Sequence, residues 1–176
     1  MKELSRRQKL MAELIKEAGA IESEVKLAKM LCYIEKERGI ETGFPFKDSR
    51  YGNYTLEVKN EAKALEDAGM IKCRVEEGKG IWGDNIKKHF FVASDKLKGF
   101  DTGLTKKEKT AVMSVYREFK AYSAAQIKDY DHAIYRHGKT RTDVEAKKAS
   151  LKETRSRIQK HGGDEEAAFR EWLSEA

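Results

Sequence analysis

Ile71-Lys72-Cys73-Arg74-Val75-Glu76-Glu77-Gly78, then Lys79-Gly80-Ile81-Trp82-Gly83-Asp84, then Asn85-Ile86-Lys87-Lys88-His89-Phe90-Phe91-Val92-Ala93 marks where the apolar period of the chain changes, and with it the expected class of structure. Upstream of it, apolar residues recur at helical spacing. From Ile71 they alternate, which places Ile71, Cys73 and Val75 on one side of an expected strand and Lys72 and Arg74 on the other. Gly78, Gly80 and Gly83 permit a tight reversal, and Lys88 to Ala93 reads as the returning strand.

Three helices are expected before this hairpin. Leu10, Met11, Leu14, Ile15 and Ala18 mark the first, stopped by Gly19, which can adopt a left-handed conformation. Ser23 caps a second, with Leu27, Met30, Leu31 and Ile34 as its apolar face and an end near Gly39. Gly43-Phe44-Pro45-Phe46 breaks the pattern, and Asp48 to Tyr51 is read as a short strand. A third helix is expected from about Asn53 to Ala68, with Tyr54, Val58, Ala62 and Leu65 inward and Gly69 as its stop. Three helices and then a hairpin with a long basic loop is the order of a winged helix-turn-helix domain. The expectation is a mainly α chain with a small β-hairpin, its winged domain spanning 1–98.

Lys98 to Gly103 reads as a linker into a helical C-terminal region over 104–176. Thr105 and Glu108 form a capping box for a helix with Val112, Val115, Tyr116 and Phe119 as its apolar face. A shorter helix, Ser123 to about Tyr135, follows. Thr142 and Glu145 open a basic helix over 142–160 whose Val144, Leu151 and Ile158 leave one narrow apolar seam. Gly162-Gly163 ends it, and Asp164 to Trp172 reads as a last, acidic helix.

The charge is unevenly placed. From Arg136 to Lys160 nine Lys and Arg face three acids, a balance equal to the whole chain's net charge of +6. The third helix, by contrast, has Lys59 and Lys63 against Glu57, Glu61, Glu66 and Asp67, a sign unfavourable between two rows of phosphates. Abundant charge with few Asn and Gln suggests a thermophile. No apolar run approaches the roughly 20 residues of a membrane span and the N-terminus lacks a signal-peptide core, so a soluble, cytoplasmic protein is expected. Cys32 and Cys73, far apart and outside any Cys-x-x-Cys pair, are expected to be buried thiols.

Two segments resemble the phage-associated, SocA-like family, also called the Panacea antitoxin domain, and its YwgA-type relatives. One is Lys26 to Ile71, with Gly43-Phe44-Pro45-Phe46, Arg50-Tyr51-Gly52-Asn53-Tyr54 and Leu65-x-x-Ala68-Gly69-Met70-Ile71. The other runs from Leu104-Thr105-x-x-Glu108 through Ser123-Ala124-Ala125-x-Ile127 to His132. Asn53 stands where that family has proline, and Asn can still start a helix as a cap. The resemblance implies a non-catalytic, winged-helix-like fold, with some relatives neutralising a protein toxin.

Two kinds of site follow. A non-enzymatic regulator would bind DNA through the basic helix and the hairpin, using Arg141, Lys147, Lys148, Lys152, Arg155 and Arg157 with Arg74, Lys79, Trp82, Lys87 and Lys88. An antitoxin-like module would instead meet a partner protein around Tyr51, Gly52 and Tyr54. A homodimer through Val144, Leu151 and Ile158 could accompany either. No Walker loop, nucleophile elbow or His-Glu-x-x-His set is present, so no catalytic residue and no cofactor is expected. Asp129, Asp131, His132 and His137 alone combine metal-ligand types, without a Glu or Cys to complete a recognisable set, and no metal is expected. His132 is expected to hydrogen-bond a backbone group or cap a turn.

Overall fold

In a computed structural model of the chain, residues 3–47, 54–79 and 85–135 are described. They form a mainly helical fold with one small, three-stranded antiparallel sheet. In chain order the elements are α1 (Arg6–Ala18), β1 (Ala20–Glu22), α2 (Glu24–Arg38), α3 (Glu57–Asp67), β2 (Ile71–Lys79), β3 (Asn85–Ala93), α4 (Asp95–Lys98), α5 (Lys106–Phe119) and α6 (Ala124–Tyr135). Two compact units divide the chain, Met1–Asp131 and His132–Ala176. The first thus runs past the expected linker at 98–103. The expected strand at 48–51, the basic helix, its apolar seam and the acidic helix lie outside the described residues.

Helix ends follow their local chemistry. Ser5 and Gln8 form a capping box on α1, and Gly19 closes it at a φ of 70°. Ser23 Oγ accepts from the Lys26 amide at 3.1 Å to open α2, and Gly39 ends that helix in the left-handed region. Thr105 and Glu108 make the expected capping box on α5. The third helix starts later than expected. Tyr54 is not in it but forms an antiparallel bridge with Lys47, their amides donating to each other's carbonyls at 3.0 and 3.1 Å. Thr55 Oγ1 then accepts from the Glu57 amide at 3.3 Å, and Val58, Ala62 and Leu65 face inward.

The sheet order is β1-β3-β2. Strand β1 was not expected: three residues carry no usable period, and it exists because Ala20, Ile21 and Glu22 pair with Val92, Phe91 and Phe90. The hairpin itself pairs Ile71 with Ala93 through to Lys79 with Asn85. Ile71, Cys73 and Val75 share one side of the strand as their alternation suggests, but burial stops after the first of them. Ile71 is buried, but Cys73 and Val75 are exposed along with Lys72, Arg74, Glu76, Glu77 and Gly78, because the hairpin projects beyond the helices. Cys73 is therefore an exposed thiol, whereas Cys32 is buried as expected.

The core centres on α2, buried continuously from Leu27 to Ile34. Helices α3, α5 and α6 and strand β1 lie around it. Leu27, Met30, Leu31 and Ile34 meet the core as their spacing suggests, while Tyr33 turns to the α5–α6 side. There its ring lies 4.7 Å from Phe119 and 5.5 Å from Tyr130, the latter edge-on. Helix α5 also holds α1, through Arg6 on Glu108 at 2.8 Å.

Candidate nucleic-acid interface

The acids of α3 are spent on the protein itself. Arg7 of α1 reaches Glu57 at 3.4 Å and Glu61 at 3.9 Å, while its Nε donates to the Gly43 carbonyl at 2.6 Å. Glu66 accepts from the backbone amide of Cys73 at 2.9 Å, tying α3 to the foot of β2. Glu57 and Glu61 turn to α1 together because they lie one turn apart on one stripe, whereas Lys59, Lys63 and Glu66 share another. Lys59, Asn60 and Lys63 are left exposed on the outer side. Asp67, 3.8 Å from Lys63 at the helix end, and Glu66, seven residues after Lys59 and lining the same groove, share that side. The helix's charge is negative in sum, and its outer side is a mixed-charge face on which Lys59 and Lys63 stand with Glu66 and Asp67.

Between α3 and the hairpin runs a groove of about 510 Å³, floored by Ala62, Phe91 and Cys73. Lys59, Lys63 and Glu66 line one wall and Lys87, Lys88 and His89 the other, with Glu22 and Glu24 at the end towards α2. Burial and the neighbouring Glu66 carboxylate push the Cys73 thiol up to about 11. Tyr54 closes the same end, its hydroxyl bonded to Glu24, and burial with that carboxylate raises the phenol well above its ordinary value.

The hairpin cations named from the sequence do not act as one patch. Lys87 pairs with Glu77 at 2.9 Å and Lys88 with Glu22 at 3.3 Å. Arg74 pairs with Glu76 at 2.8 Å and lies 5.2 Å over the Phe90 ring. By the alternation of the pleat, Arg74 is on the face opposite Cys73 and His89, away from the groove. Lys79 belongs to β2. Trp82, Arg141, Lys147, Lys148, Lys152, Arg155 and Arg157 lie outside the described residues, as do Tyr51 and Gly52. Of the expected partner-binding residues only Tyr54 is placed, half-buried.

Asp131, grouped by residue type with possible metal ligands, has a different task. It accepts from Lys29 Nζ at 2.8 Å, and both side chains are almost wholly buried. Tyr33 adds its hydroxyl, 3.3 Å from the Ile127 carbonyl and 3.5 Å from Asp131. Burial lowers the Lys29 pKa, and the hydrogen bond to Asp131 opposes that shift. Asp129 is exposed. His132 Nε2, expected to bond a backbone group, has no hydrogen-bond partner among the described residues. No cluster of three or more His, Cys, Asp or Glu side chains suited to a metal occurs among them.

No protein-family model matches this chain, and neither a curated protein nor a solved structure does. Among the described residues no helix is long and apolar enough to cross a membrane.

Proposed function

We propose that this chain is a non-enzymatic winged-helix regulator that binds DNA, with α3 as the element presented to the duplex and the β2–β3 hairpin as its wing. The observation that carries the reading is the sorting of charge on α3. Three acids are engaged by Arg7 and the Cys73 amide, which leaves Lys59, Asn60 and Lys63 outward beside Lys87 and His89. Two Lys on one helical stripe suit phosphate rows, and an exposed Asn between them is a side chain able to pair with an adenine edge. The nine cations of Arg136 to Lys160 would supply the remaining, sequence-independent attraction.

The test is fluorescence anisotropy with a mixed-sequence duplex at several salt concentrations. Binding is expected to weaken linearly in log salt, and replacing Lys59→Glu with Lys63→Glu should lower the magnitude of that slope by about 2. An unchanged slope removes α3 from the interface. Changing Lys148, Lys152 and Arg155 together to Glu probes the basic segment separately.

A second reading draws on Leu56, which is 70 % exposed where α3 begins, directly after Tyr54 and Thr55. A bare leucine within the Lys26 to Ile71 segment that resembles the SocA-like family suits an antitoxin-like, protein-binding surface. Co-purification of a partner protein with the native chain but not with Leu56→Asp would favour it.

A further inference from the structure

The outer edge of β2 matches a second copy of itself. Among the described residues β3 is central and β2 has one strand neighbour, its other edge being open apart from the Cys73 amide, which Glu66 holds. The amide of Ser23 donates to the His89 carbonyl and that of Ala93 to the Gly19 carbonyl, so the odd-numbered residues of β3 turn their polar backbone groups towards the β1 side. Phe90 and Lys88 therefore bond β2 through their register partners Arg74 and Glu76. The intervening Val75 must point its amide and carbonyl away from β3. The same alternation explains why the Cys73 amide is available to Glu66.

At the middle of this edge Val75 is 49 % exposed, one of two large apolar side chains so exposed among the described residues. The charges on either side of it have opposite sign: Arg74 precedes it and Glu76 follows. A two-fold axis through Val75 sets an antiparallel copy with Val75 against Val75, Arg74 against Glu76 and Glu76 against Arg74. In that register Val75 exchanges both backbone hydrogen bonds with its counterpart, and each charge meets its opposite across the strands. Such edges are blunted by proline, a bulge, charged side chains or a covering helix. β2 has no proline and no bulge, and its central charges, Arg74 and Glu76, are of opposite sign and so attract rather than repel in this register.

We propose that two copies of this chain associate through β2, in antiparallel register about Val75. The contact is isologous, so one patch serves both partners and the assembly closes at a dimer. Its area is that of one short strand pair, which makes the dimer weak and concentration-dependent.

Sedimentation or light scattering of the full chain over a range of concentrations tests it. The native chain is expected to pass from monomer to dimer. Arg74→Glu alone and Glu76→Arg alone should each remain monomeric, because each sets like charges opposite one another. An equimolar mixture of these two variants should dimerise, since each charge then finds its complement in the other chain. Ion pairs within a chain cannot be rescued by mixing. Val75→Pro should also stay monomeric while keeping its circular dichroism, because that amide is not used inside the hairpin. A monomeric mixture, a native chain that is monomeric throughout, or dimers that persist in Val75→Pro would overturn the proposal, the last pointing to another surface such as the Val144, Leu151 and Ile158 seam.

Discussion

From Leu27 to Ile34 every residue of α2 is buried, Lys29 included, whereas from Lys72 to Gly78 every residue of β2 is exposed. Both segments have a regular apolar pattern, which in each case suggests one covered face and one wet face. The difference lies in their neighbours. α2 has helices or sheet around it, while β2 beyond Ile71 has β3 beside it and only the end of α3 near its outer edge. Equal sequence signals thus lead to opposite solvent environments, and the energetic weight of any interaction follows the environment rather than the pattern.

The ion pairs give the largest test of that contrast. Asp131→Ala removes the carboxylate facing the buried Lys29, and a loss of about 3–5 kcal/mol is expected in denaturant unfolding. Glu77→Gln breaks the exposed pair with Lys87 and should cost no more than about 1 kcal/mol. The joint change of Lys29→Met with Asp131→Leu should recover most of the first loss, because no buried charge is left to solvate. Equal costs at the two sites would break the comparison.

Apolar truncation comes next. Leu31→Ala in α2 is expected to destabilise by about 2–5 kcal/mol, while Val75→Ala in β2 stays within about 0.5 kcal/mol.

The two thiols sharpen the contrast without changing stability. A thiol-reactive disulfide reagent should label Cys73 in the native protein and reach Cys32 only after unfolding. Burial pushes Cys32 up to about 12 and Cys73 up to about 11, so both are mostly protonated at neutral pH. The Cys73 rate should therefore rise about tenfold per pH unit through pH 7 to 9, as the thiolate fraction does. Glu66→Gln, by removing the adjacent negative charge, should speed it. Native labelling of both cysteines would show that α2 is not shielded.

The same two regions show why the candidate site was only partly legible. Lys87 and Lys88 were visible as hairpin cations, yet their carboxylate partners are Glu77 across the turn and Glu22 on another strand. Lys59 and Lys63 do not stand out when the charge of α3 is added along the chain. The available signal was the spacing: Glu57 and Glu61 form one stripe and Lys59 and Lys63 another. Which stripe faced outward depended on Arg7, about 50 residues earlier.

Residues acting within one turn of themselves settled the helix ends: Ser23 capping α2, Thr105 with Glu108 capping α5, and Gly19, Gly39 and Gly69 adopting positive φ. These are interactions among atoms three or four residues apart, so the amino-acid order alone determines them. Strand β1, the complete burial of α2, the pairing of Lys29 with Asp131 and the outward face of α3 each require a partner far along the chain. Hydrogen bonding of an edge, desolvation of a charge and neutralisation of an acid depend on what arrives beside them, and that was decided only when the elements packed.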